Sequence, residues 1–171
     1  YDDGMIVKYN AEGECEWAKV IGGESGNIDR INSVAITKDG GIIAGGEFNS
    51  KNIELENSIT IAQNYITSNG IIIKYNTNGE IEWAKQIGGE SYEYIYSVEA
   101  TSDGGIIAGG EFKTSSLTLE NGTTLNNSKS GYSDGMIIKY NANSEIEWAK
   151  TIGTNYDDEI TSIVETTDGD I

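Results

Sequence analysis

Apolar and polar residues alternate with a period of two along much of the chain. In "GIIIKYN" (70–76), Ile71, Ile73 and Tyr75 share one face, opposite Ile72 and Lys74. In "EIEWAKQIG" (80–88), Ile81 and Trp83 share a face, opposite Glu82 and Ala84. This is the period of a β-strand, and no stretch sustains the 3.6-residue period of a helix. "IYSVEAT" (95–101) and "GGIIAGGEF" (104–112) supply two more strand-like runs. Four strands therefore make one unit, with one and two as in 95–112 and three and four as in 70–88. The "SDGG" between strands one and two predicts a two-residue Asp-Gly hairpin, because glycine reaches positive φ at little cost. "NTNG" and "NAEG" predict Asn- and Gly-based turns between strands three and four. The glycine of that turn is Ser144 in the third copy, so the position tolerates a side chain.

The unit repeats. Trp17, Trp83 and Trp148 are 66 and 65 residues apart, and Asp39, Asp103 and Asp168 are 64 and 65 apart. "GGIIAGGEF" occurs identically at 40–48 and 104–112. "IIKYNTNGEIEWAK" (72–85) matches "IIKYNANSEIEWAK" (137–150) at 12 of 14 positions. Four antiparallel strands reiterated every 65 or so residues predict an all-β fold of β-propeller blades. A β-solenoid fits less well, since its coils are usually shorter and lack two hairpin turns per repeat. The glycines and alanines at 44–46 and 108–110 are expected where blades crowd together. The strand-four tryptophans are expected to fill the wider gap between blades.

Within this scheme the chain is one propeller segment, residues 1–171. It divides into a half-blade (1–30), complete blades at 31–94 and 95–159, and the first strand of a further blade at 160–171. Fewer than three blades cannot close, and open edges invite pairing. Two explanations stand: a piece of a longer propeller, or copies that self-associate through their open blade edges.

"TSDGGIIAGGEF", "SDGMIIKYN" and "EIEWAKTIG" resemble bacterial β-propeller repeats of the SBBP type, and the resemblance spans essentially the whole chain. It implies a propeller fold in a secreted or surface protein. The strand-three Asp of that pattern falls on Asp3 and Asp134, with Asn69 in the middle copy. "TSDGG" also resembles the start of a sialidase Asp-box. Ala44 and Ala108 hold its aromatic position, however, and one arginine cannot form the three-arginine carboxylate clamp of those enzymes.

Composition narrows the chemistry. With 28 acidic and 11 basic residues the net charge is −17, which repels nucleic acid and anionic membrane surfaces. Six of the basic residues (Lys8, Lys19, Lys74, Lys85, Lys139, Lys150) recur at strand positions, so no basic patch forms. No run approaches the roughly 20 apolar residues of a membrane helix, so membrane insertion is not expected. There is no histidine, which removes His bases, His-ligated zinc and Ser-His-Asp triads. Cys15 aligns with Ile81 and Ile146 and is expected to be a small core residue. "GGIIAGGEF" lacks the lysine and following helix of a phosphate loop. Glu14/Glu16, Glu80/Glu82 and Glu145/Glu147 recur, as a solvated strand face would, and no unique carboxylate pair stands out.

The less faithfully copied segments are where binding is expected. Residues 49–69 and 113–134 alternate around "ENS" and "ENG", predicting a small projecting hairpin near 117–119 and 123–125. The inter-blade links are 22–30, 88–96 and 153–161. Tyr92, Tyr94 and Tyr96 alternate in the second and offer an aromatic patch for sugar rings. Asp157, Asp158 and Glu159 in the third offer oxygen ligands for calcium, although no D-x-D-x-D-G spacing exists. The expected ligand-contacting residues are Tyr92, Tyr94, Asn121, Asn126 and Tyr132, with a protein or carbohydrate as partner. No catalytic residue, other cofactor or metal residue is assigned. The function expected is a non-enzymatic binding or adhesion scaffold. The alternatives are a glycan-processing propeller enzyme with catalytic groups elsewhere, and a purely structural self-associating repeat.

Overall fold

The computed structural model describes residues 2–23, 27–63 and 67–171, so parts of the first inter-blade link and of segment 49–69 lie outside it. Strands β1 (Gly4–Tyr9) and β2 (Cys15–Ile21) pair antiparallel. β3 (Asp29–Ile36) and β4 (Ile42–Phe48) lead into a small hairpin, β5 (Asn52–Glu54) and β6 (Thr60–Ala62), and then into β7 (Asn69–Tyr75) and β8 (Ile81–Ile87). β9 (Glu93–Ala100), β10 (Ile106–Phe112), the hairpin β11 (Ser116–Thr118) and β12 (Thr124–Asn126), β13 (Asp134–Tyr140) and β14 (Ile146–Ile152) repeat the same plan. The two large sheets are four-stranded antiparallel meanders, β3-β4-β7-β8 and β9-β10-β13-β14. Among the described residues the one helical turn is a 3-10 turn at Glu56–Ser58. The fold is all-β, and its blade-like sheets stack face to face in an array that does not close into a ring.

Stacking explains the near-continuous apolar runs of strands two and three. Ala44, Ile71 and Ile73 join a core shared with Ile6 and Ile21 of the half-blade. Ile43 and Ile72 join a second core with Ile95, Val98 and Ile106 of the next blade. Each blade thus contributes opposite faces to two cores, and its central strands carry apolar residues on both. The strand-four tryptophans bridge the same gaps: Trp17 lies 6.1 Å from Tyr75 and Trp83 lies 6.5 Å from Tyr140, ring centre to ring centre.

The repeated glycine pair has two separate duties. A Cβ on Gly45 would meet Val98 and Ile95 of the next blade at 2.5 and 2.7 Å. A Cβ on Gly46 would lie 1.8 Å from the Arg30 carbonyl of its own sheet. That second contact follows from a β-bulge: Gly45 pairs with Ser33 and Gly46 with Ile31, so Asn32 is skipped. β10 repeats both features. Gly109 packs against Ile160, Gly110 against the Tyr94 carbonyl, and Tyr96 is the skipped residue.

The turns differ from the two-residue hairpins the sequence suggests. In seven of them the first residue donates to and accepts from the residues closing a three-residue loop, as in Thr37 N to Gly41 O and Gly40 N to Thr37 O. The third loop residue has positive φ: Gly13, Gly40, Gly79, Gly104, Gly122, Ser144 and Gly169. This is the type I turn plus G1 bulge. Its side-chain support is also copied. Asp39 Oδ1 accepts from Thr37 Oγ1 and Gly41 N, and Asn10 Oδ1 accepts from the backbones of Glu12 and Glu14.

Two further expectations change. Cys15 is exposed rather than a core residue. Its counterparts Ile81 and Ile146 sit beside the Leu55 and Leu119 ends of hairpins β5–β6 and β11–β12, and the β1–β2 pair carries no such hairpin. Those hairpins do not project freely: Ile53, Ile61, Leu117, Leu119 and Leu125 are buried. Their tips are tied to the preceding unit, Lys19 to Glu56 at 2.6 Å and Lys85 to Glu120 at 2.5 Å. Residues 160–171 form no ladder. They still make strand-one contacts, with Ile160 N donating to Gly110 O and Ile163 N to Ser97 Oγ.

Candidate functional site

Two places gather side chains that the scaffold itself does not explain. The first is on strand one of the second complete sheet. Tyr92, Tyr94 and Tyr96 stack in a ladder, with ring centres 6.3 and 5.9 Å apart and planes tilted by 15° and 16°. A regular β9 would send alternate residues to one face. Tyr92, Tyr94 and Tyr96 alternate accordingly, and the ladder to β10 skips Tyr96 and continues past it. Tyr96 Oη donates to Glu111 Oε1 at 2.6 Å. Burial first, then the neighbouring carboxylates, holds the Tyr94 and Tyr96 hydroxyls above the ordinary tyrosine range, so both stay protonated at neutral pH. Tyr92 remains 44% exposed.

The equivalent positions in the preceding sheet are Ile28, Arg30 and Asn32. There Arg30 pairs with Asp2 at 3.1 Å and Glu47 at 3.4 Å, and Asn32 Nδ2 donates to Glu47 Oε2 at 2.7 Å. The glutamate of "GGEF" is thus held in both copies, by a cation and an amide in one and by a phenol in the other. The aromatic ladder belongs to one copy only.

The second place is a cleft of about 740 Å³ between the two complete sheets, at their turn-bearing end. Thr37, Lys38 and Asp39 line one side with Lys74, Glu82 and Trp83; Asp103, Gly104 and the turn Asn141–Ser144 line the other. Lys74 pairs with Asp39 at 2.6 Å and with Glu82. In the next blade Lys139 pairs with Asp103 at 2.9 Å and Glu147 at 3.2 Å. Glu16, Glu82 and Glu147 are the bulged residues of strand four, which turns them back toward Lys8, Lys74 and Lys139. The Asp39 carboxyl is held well below the usual range by hydrogen bonds from Lys74 and then Thr37, and that of Asp103 by Thr101 and then Lys139. Burial works against the Lys74 ammonium, but its bonds to Asp39 and Glu82 outweigh that and raise its value.

The sequence-expected residues separate in space. Tyr92 and Tyr94 are joined, and Tyr96 belongs with them. Asn121 sits in the β11–β12 turn, where Oδ1 accepts from Thr123 N and Nδ2 donates to Ile146 O. Asn126 is on β12, its Oδ1 accepting from Ser116 Oγ. Tyr132 lies edge-on to Tyr156 at 6.0 Å and under the Lys129 ammonium at 5.6 Å. Asp157 Oδ1 accepts from Ser133 N, and Asp158 Oδ2 accepts from Thr154 N and Oγ1. Asp158 stands where Asp29 and Glu93 stand in the earlier copies. Asp29 is buried and bonds Gly23, Asn49 and Ser50; Glu93 is buried and bonds Gly89 and Thr114. Asp158 is therefore one copy of a repeated backbone clasp. Among the described residues no group of three or more Cys, Asp or Glu converges as a metal cage.

The cleft was not visible from motif reasoning. Its signal is the single letter that changes Gly79 to Ser144 at equivalent turns. A Cβ on Gly79 would lie 2.9 Å from the Trp17 ring, so that indole rests on bare glycine.

No family model matches the chain, and no curated protein matches it. Among solved structures it is similar to a protein of unknown function from Bacteroides caccae, at 16% identity and a TM-score of 0.26. The match covers 88% of this chain and 73% of that one.

Proposed function

We propose that the chain is a non-enzymatic β-propeller repeat module that acts as a binding or adhesion scaffold in a bacterial secreted or surface protein. The observation that carries this reading is the tyrosine ladder. Three rings stacked along one strand, the first of them exposed, present a row of aromatic edges, which suits a carbohydrate chain or an aromatic-bearing peptide. The ladder is absent from the preceding copy, where an ion pair fills the same scaffold positions. A feature needed for folding would recur with the strands. The bacterial and extracellular parts of the reading rest on the resemblance of the repeats to SBBP-type sequences.

The test is a glycan and peptide array probed with and without calcium, comparing the wild type with Tyr92→Ala/Tyr94→Ala. A hit that the double variant loses by about tenfold or more, with an unchanged melting temperature, supports the ladder as the contact surface. A hit that the double variant keeps in full places binding elsewhere and overturns this role. Tyr96 is left intact in the variant because its hydroxyl anchors Glu111.

A further inference from the structure

We infer that the cleft beside Trp83 is a second binding site, independent of the tyrosine ladder, for a neutral polyhydroxylated ligand of mono- or disaccharide size. The two inter-blade gaps can be compared directly because the chain has copied them. At the first gap the indole of Trp17 lies against the turn at Gly79. At the second, Ser144 occupies the glycine position with φ of 61° and carries a side chain there. An indole placed as Trp17 is would collide with that Cβ, and here Trp83 and Ser144 both line the open cleft. Trp83 is tilted by 35° from Tyr140 and Trp17 by 29° from Tyr75, with the larger ring separation at Trp83.

The lining sets the ligand class. The volume falls within the roughly 300–1,000 Å³ common for small-molecule sites. The indole offers an apolar face for the C–H side of a sugar ring. Around it lie hydroxyls of Thr37 and Ser144, the amide of Asn143, the Lys38 and Lys74 ammonium groups and the carboxylates of Asp39, Glu82 and Asp103. A sugar hydroxyl both donates and accepts, and this set supplies both kinds of partner. Three carboxylates against two ammonium groups disfavour an anion. The two cations are already held, Lys74 by its carboxylates and Lys38 by Ser102 O at 3.2 Å, which disfavours charge-driven capture generally.

The experiment is isothermal titration of the whole chain with glucose, galactose, mannose, maltose, cellobiose and lactose, and with inorganic phosphate as the anionic control. The expected result is saturable binding of at least one sugar and none of phosphate. Ser144→Gly should weaken it about tenfold, equivalent to about 1.4 kcal/mol, by letting Trp83 settle on the turn. Trp83→Ala should abolish it, and Trp83→Tyr should retain part of it if the alanine variant fails to fold. Tyr92→Ala/Tyr94→Ala should leave it unchanged, which separates this site from the ladder. Absence of binding by all six sugars, phosphate binding instead, or unaltered affinity in Ser144→Gly would each overturn the inference.

Discussion

Single atoms decide much at the residue scale. Gly46→Ala would drive a Cβ to 1.8 Å from the Arg30 carbonyl, and neither backbone can move without breaking the bulge. It should cost at least about 3 kcal/mol in chemical denaturation. Ser144→Gly should do the opposite, raising stability by about 1 kcal/mol, because a non-glycine residue at φ of 61° is held against its preference. The sequence shows that Ser144 is tolerated; only the backbone shows that it is tolerated under strain. Acid sensitivity is also a residue property. A carboxyl whose folded value is depressed adds stability that is complete above its unfolded value, near pH 3.9, and is lost as pH falls below it. Asp39→Asn with Asp103→Asn should therefore flatten the fall in melting temperature between about pH 4 and pH 2.5. Glu93 works in the other sense: burial raises its carboxyl against the bonds from Thr114 and Gly89, so its ionisation costs stability as pH rises.

At the scale of elements, the strands were legible and the hairpins were half legible. Alternation and the copied turns located the strands of the two four-stranded sheets, because a period of two survives whatever the strand packs against. Hairpins β5–β6 and β11–β12 were predicted in place but not in role. The sequence predicts a projecting hairpin there, whereas Leu117, Leu119 and Leu125 are buried members of a core. Leu117→Ala should cost about 2–5 kcal/mol in urea unfolding. Glu120→Ala, which breaks a half-exposed ion pair with Lys85, should cost less than about 1 kcal/mol. Cys15 failed as a core residue for the same reason: alignment along a strand transfers the strand's own face but not the hairpin that covers it. The candidate sites were less legible still. The tyrosines alternate visibly, yet the bulge that skips Tyr96 and the bond from its hydroxyl to Glu111 are not legible in that alternation.

For the whole molecule, 28 acidic residues against 11 basic ones oppose compaction, and the paired lysines relieve only local parts of that repulsion. Melting temperature should rise as sodium chloride goes from about 10 mM to about 200 mM, where screening shortens to under about 10 Å. A fall over that range would show that the lysine pairs outweigh the net repulsion. The cores lie between sheets rather than within them, so each blade is stabilised by its neighbours, as in other repeat arrays.

The identity of β4 and β10 has a kinetic side. Both strands read IIAGGEF, and both pair in the same register with near-identical partners, β7 and β13. During folding, β7 can therefore accept β10 with every ladder bond made and no steric objection in the shared residues. Discrimination falls to the strand-one bulge, where Asn32 reaches Glu47 in one copy and Tyr96 reaches Glu111 in the other. Faithful duplication simplifies the architecture and, by the same act, removes the differences that steer a chain away from trading strands with another molecule of itself.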